Sequence, residues 1–181
     1  MLRALVFLLA AITAYAHDLG ENRATLVLHD RNHLSVTLYI NYCEALHKAL
    51  MPQREYGAFL VMYSTMKAED LAKDLTRAQV KFESAIQIAT KAPAKRIEIK
   101  NWNWPTAAQV KTMLQHQVMQ AMVDRHTHEP PAEIRADAVA MQPIESVTIR
   151  FPEEFQRVLV VSYRPNQVWV DGKSPLPEIK F

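Results

Sequence analysis

From Asn22 to Tyr42 the chain alternates apolar and polar residues, interrupted once by Asp30-Arg31-Asn32. Ala24, Leu26 and Leu28 fall on one side of an extended backbone and Arg23, Thr25 and Val27 on the other, the period of a strand with one buried face. After the break, Leu34, Val36, Leu38, Ile40 and Tyr42 alternate with Ser35, Thr37, Tyr39 and Asn41. Two such runs joined by turn-forming residues predict an antiparallel hairpin. A hairpin that is apolar on one face needs a second layer to cover it.

Two downstream segments have the pattern of that layer. Between Met66 and Ile88 the apolar residues Leu71, Leu75, Ala78, Phe82, Ala85 and Ile86 recur every three or four positions, behind acidic Glu69 and Asp70. This predicts an amphipathic helix with a favourably charged first turn. Thr106-Ala107-Ala108-Gln109 has the form of a capping box. It predicts a second helix to about Asp124 with Val110, Met113, Leu114, Val118 and Ala121 on its buried stripe. Glu44 to Leu50 is compatible with a short helix stopped by Pro52, and Tyr56 to Tyr63 fits either a strand or a helix. Further strands are expected at Lys95–Trp104, Glu133–Met141, Ser146–Phe151 and Arg157–Tyr163, with Gln167–Val170 as an additional piece. Val158-Leu159-Val160-Val161 lacks alternation, which predicts a central strand covered on both faces. The order of elements predicts an α+β fold, an antiparallel sheet with two amphipathic helices packed on one face. Three glycines in 181 residues leave the sharp turns to Asn, Asp and Pro and argue against a glycine-rich phosphate loop.

Ahead of the hairpin, Arg3 precedes the apolar run Ala4 to Ile12, and Ala14-Tyr15-Ala16 follows. These are the three parts of a cleavable export signal, so residues 1–16 are expected to be removed and residues 17–181 to form a single globular domain in the periplasm or outside the cell. The apolar run falls short of the roughly 20 residues that span a bilayer, and no transmembrane segment is expected after cleavage. The mature chain would be close to neutral without a basic tract, which excludes an electrostatic footprint for nucleic acid. Cys43 is the sole cysteine, so no internal disulfide can form, and a buried apolar role is expected for it.

Cleavage after Ala16 would make His17 the first residue. Its amine and imidazole together chelate, and a third imidazole from His126 or His128 would complete a three-nitrogen set suited to copper. A copper monooxygenase on this ligand set is the enzymatic version of the reading. His29 and His33 flank the first turn and would face each other across the hairpin, a further two-ligand pair. Met113, His116, Met119 and Met122 scatter around their helix, and the methionines are expected as core filling. Trp102 and Trp104, two apart in an expected strand, share one face. They would either stack on a sugar ring or peptide, or cover the sheet beneath a helix. The sequence holds no nucleophile elbow, no His-Glu-x-x-His and no cysteine with an evident base. The pair Glu153-Glu154 after Pro152 is expected to open a short helical turn.

His17-Asp18-Leu19, followed by strands carrying Ala24-Thr25-Leu26-Val27-Leu28 and Leu34-Ser35-Val36-Thr37-Leu38, resembles the extracytoplasmic domains of bacterial proteins that carry or neighbour HupE/UreJ-type membrane segments. Those begin with His-x-Leu just past the leader. The resemblance implies an envelope protein of unassigned role connected with metal supply, and it carries over no catalytic residue; an envelope protein partner is a separate expectation. A leader followed by a compact domain without a catalytic signature makes a non-enzymatic binding or accessory protein the expected function. Copper binding through His17, and sugar or peptide binding through Trp102 and Trp104, are the alternatives.

Overall fold

The computed structural model describes residues 22–91, 94–123 and 130–165. The expected leader, His17, the loop histidines His126 and His128, and the strand piece Gln167–Val170 lie outside them. The α+β class holds.

The hairpin forms as β1 (Asn22–His29) and β2 (His33–Ile40), with Leu26 opposite Val36 and His29 opposite His33. Asp30 and Arg31 turn the chain with φ of 46° and 67°, so non-glycine residues hold the left-handed turn. β2 pairs on its other side, antiparallel, with β6 (Ala132–Val139), and the five-stranded sheet runs β5-β6-β2-β1-β8, where β5 is Ile99–Asn103 and β8 is Val158–Tyr163. Ala24, Leu26, Leu34, Val36, Leu38, Ile40, Ile134 and Ala138 are all buried, and the register puts them on one face. The helices supply the rest of this core.

Among the described residues there are four α-helices: the two amphipathic ones expected, the short one allowed at Glu44–Leu50, and one over the segment that fitted either strand or helix. α1 (Tyr42–Leu50) starts directly after β2, capped by the Asn41 side chain, which accepts from the Glu44 amide. Asn22 ties this corner together: its Oδ1 accepts from the Asn41 amide at 2.7 Å and its Nδ2 donates to the Phe155 carbonyl at 2.5 Å. The ambiguous segment is helix α2 (Tyr56–Thr65), started by Glu55 accepting from the Ala58 amide at 2.9 Å. It is apolar nearly all round, so it shows no helical stripe in the sequence, yet Phe59, Leu60 and Tyr63 are buried and Val61 is exposed. The Tyr63 hydroxyl donates to Asp74 Oδ2 at 2.7 Å. Burial and that carboxylate push the phenol well above its usual range. α3 (Ala68–Ala85) buries Leu71, Leu75, Ala78 and Phe82 as expected. The capping box of α4 (Ala107–Val123) is present: the Gln109 amide donates to Thr106 Oγ1 at 3.3 Å and the Thr106 amide to Gln109 Oε1 at 2.8 Å. Val110 and Leu114 are buried, whereas Ala121, expected on the stripe, is exposed. Cys43 is buried, as expected.

Several boundaries differ from expectation. Ile86 is the C-cap of α3, its amide donating to the Phe82 carbonyl at 2.9 Å, and Ile88 lies in β3 (Gln87–Lys91) of a second, three-stranded sheet ordered β4-β3-β7. The strand expected over Lys95–Trp104 is two strands, β4 (Ala94–Ile97) in the small sheet and β5 in the large one. Between Lys100 and Asn103 the register of β5 shifts, and Asn101 has φ 56°. β7 is Val147–Arg150, and Glu153–Phe155 is the expected helical turn.

The expectation for Val158–Val161 is overturned. β8 pairs with β1 alone among the described residues, in parallel, so it is the edge of the sheet and not its centre. Leu159, Val160 and Val161 remain 41%, 39% and 41% exposed. Lack of alternation records that both faces of a strand are apolar and says nothing about whether a neighbour covers them.

Phe82 packs against Tyr42 and Phe155, with ring centres at 6.4 and 5.0 Å. Phe82→Ala is expected to destabilise the fold by about 3–5 kcal/mol, measured by urea unfolding. Lys81 Nζ lies 2.6 Å from Glu154 Oε1, whose side chain is 14% exposed. Burial pushes this carboxyl up, but the lysine and a backbone hydrogen bond hold it below the ordinary value of 4.5. Its stabilising effect is therefore present above pH 4.5 and lost as pH falls through the lower folded value. Lys81→Met is expected to cost about 1 kcal/mol at neutral pH and to flatten the acid side of a pH–stability profile.

Candidate binding groove

β5 ends where the chain must turn into α4, and Pro105, itself buried, follows Trp104 directly. This junction sets the two tryptophans against α3. Trp104 Nε1 donates to Glu83 Oε1 at 2.7 Å, a charge-assisted bond that fixes the indole. On one side the Trp104 ring stacks with Tyr42 at 5.8 Å and 30°, and it lies 6.0 Å from Phe82. Trp102 stacks on Trp104 at 5.5 Å and 22°. The same-side expectation for residues two apart is met, but the two rings are stacked and not laid side by side. Trp102 is the outer member of a column that runs down through Trp104 and Tyr42 to Phe82. Both tryptophans are half-buried.

Beside this column lies a groove of about 350 Å³ with Thr76, Gln79, Trp102, Asn103, Trp104 and Thr106 on its walls. Thr76 and Gln79 come from the exposed edge of the α3 stripe. Asn103, the last residue of β5, lies between the tryptophans, and Thr106 is on the connection to α4. The groove thus offers indole surface beside the amides of Gln79 and Asn103 and the hydroxyl oxygens of Thr76 and Thr106, whose protons go to the Ala72 carbonyl at 2.9 Å and to Gln109 Oε1 at 3.0 Å, with no charged side chain on those walls. Such a surface can hold a neutral polar molecule that also has an apolar face. It contains no nucleophile paired with a base.

A second cleft, about 370 Å³, lies between the inner face of the sheet at β8 and the segment before β7. Leu26, Leu34, Ile144, Val160, Tyr163 and Arg164 are among its lining residues. Arg164 Nη2 is engaged with the Ile144 carbonyl at 2.7 Å.

The remaining sequence candidates fall as follows. His29 and His33 do face each other across the hairpin, with ring centres 5.6 Å apart. His116 is exposed and lies 3.4 Å from Gln120, and Met119 and Met122 are exposed, not core filling. His47, not singled out in the sequence, lies against Tyr56 and Phe59 and meets the Arg54 carbonyl at 2.7 Å. Among the described residues no group of three or more His, Cys, Asp and Glu side chains is arranged to hold a metal ion, and no helix is long and apolar enough to cross a membrane. Gln79 and Asn103 were missed because nothing in their local sequence marks them; they become notable only when α3 and β5 meet.

No family model, curated protein or solved structure matches the chain.

Glu83→Leu is expected to release the Trp104 indole, with a shift of its fluorescence emission and a stability loss of about 1.5–3 kcal/mol for the bond to a charged group. Trp102→Phe, which keeps a ring at the end of the column, is expected to leave the melting temperature nearly unchanged.

Proposed function

We propose that the protein is an exported, non-enzymatic binding protein whose ligand is a sugar ring held in the groove beside Trp102. One observation carries this reading: the column of stacked rings ends at Trp102, next to the amides of Gln79 and Asn103 and the hydroxyls of Thr76 and Thr106. A sugar presents axial C–H groups on one face and hydroxyls around its rim. An indole face suits the first, and amide side chains with both donors and acceptors, beside hydroxyl oxygens that accept, suit the second. Because Trp104 is fixed by Glu83 and Tyr42, the outer indole is held ready before a ligand arrives, which lowers the ordering cost of binding. Export rests on the leader-like residues 1–16, and the absence of turnover on the lack of a nucleophile–base pair in the groove.

Intrinsic fluorescence titrated with a panel of neutral oligosaccharides tests the reading. A saturable change is expected, and Trp102→Ala should weaken binding about tenfold, the equivalent of about 1.4 kcal/mol. A response to extended neutral peptides but to no glycan would reassign the groove, and a glycan affinity unaffected by Trp102→Ala would reject it.

A further inference from the structure

At the far end of the hairpin from α1, the outer face of the large sheet carries a cluster that the proposed groove does not use. His29 and His33 are directly opposite partners in the β1–β2 register, and their rings are 5.6 Å apart at 44°. Asp137 lies diagonally across from His33 on β6, since His33 itself pairs with Val139. Its Oδ1 is 3.2 Å from His33 Nε2. Its Oδ2 accepts from Asn101 Nδ2 at 3.4 Å, and Asn101 is the residue with φ 56° at the register shift of β5. Both carboxylate oxygens are therefore engaged, one on the imidazole and one on a side chain aimed by an irregular strand.

A carboxylate that accepts from Nε2 fixes the tautomer of His33 and leaves its Nδ1 lone pair open. This is the outer-shell arrangement found behind metal-ligating histidines, where it orients the ring and makes the free nitrogen more basic. The spacing of the rings is compatible with one ion held between them. With metal–nitrogen bonds of about 2.0–2.1 Å and ring centres about 1.1 Å behind each nitrogen, two imidazoles on a tetrahedral ion have centres about 5.2 Å apart. Cis ligands of a square-planar ion would have them about 4.5 Å apart. The 5.6 Å observed lies nearer the tetrahedral value.

The geometry points to a surface site for a tetrahedral divalent cation, Zn(II), ligated by His29 and His33, with Asp137 positioning His33 and solvent completing the coordination. Two protein ligands make a weaker, more exchangeable site than the three or four of catalytic and structural zinc. The site lies on the hairpin, apart from the groove at Trp102, so it stands or falls without the sugar-binding reading.

The test uses the full chain with His17, His126 and His128 replaced by alanine, which removes the other histidine set named from the sequence. Zn(II) binding is measured by calorimetry, and Co(II) absorption reports coordination geometry. One equivalent of Zn(II) and the intense visible bands of tetrahedral Co(II) are expected. His29→Ala and His33→Ala added to that background should each abolish both signals, and Asp137→Asn should weaken Zn(II) binding by about 10–100-fold. Circular dichroism establishes that these surface variants fold. No Zn(II) binding in the triple-alanine chain, or binding that survives His33→Ala, overturns the site.

Discussion

The fold depends on covering one face of the β1–β2 hairpin. Ala24, Leu26, Leu34, Val36, Leu38 and Ile40 are each at most 3% exposed, and stripping apolar side chains of this size from water is the main favourable term in folding. β6 adds Ile134 and Ala138 to the same face. Everything else takes its position from that cover. Tyr42, at the start of α1 immediately after β2, is the pivot. It is nearly fully buried and touches Phe82 of α3 and Trp104 at the end of β5, so a strand, a helix and the candidate groove meet on one ring.

That pivot explains why the groove is rigid at its base and open at its rim. The ring column begins in the core and ends at Trp102, and Trp104, the ring next to the end, is held by Glu83 from the side. Core packing and candidate function are thus one continuous structure. The outer face of the sheet is arranged differently: it is uncovered by any described helix, and its order comes from cross-strand pairs such as His29 with His33 and from the Asn101–Asp137–His33 chain. The irregularity of β5 at Asn101 serves the second face while the same strand delivers Trp102 to the groove.

Much of this could be read from residues alone where the signal is local. Period-two alternation located both hairpin strands, because one face is covered and the other is not. Thr106 and Gln109 marked the start of α4, because a capping box is closed by residues three apart. Leu71, Leu75, Ala78 and Phe82 marked the buried stripe of α3 for the same reason of spacing. The same-side placement of Trp102 and Trp104 also followed from strand geometry, whereas the stacking of one on the other required Tyr42 beneath them.

What the sequence determined by itself was therefore the type of the strongly periodic elements and which of their faces turns inward, since backbone geometry converts spacing directly into direction. Tertiary structure decided the rest. Whether Ile88 extends a helix or lies in a strand depended on Ile97 of β4 and Ile149 of β7 pairing with it. Whether Val158–Val161 lies inside the sheet or at its edge depended on which strands took the neighbouring places. Gln79 and Asn103 became groove walls, and Asp137 a partner of His33, through contacts between residues far apart in the chain. No local pattern encodes such a meeting, because its free energy belongs to the pair of surfaces and to neither segment alone.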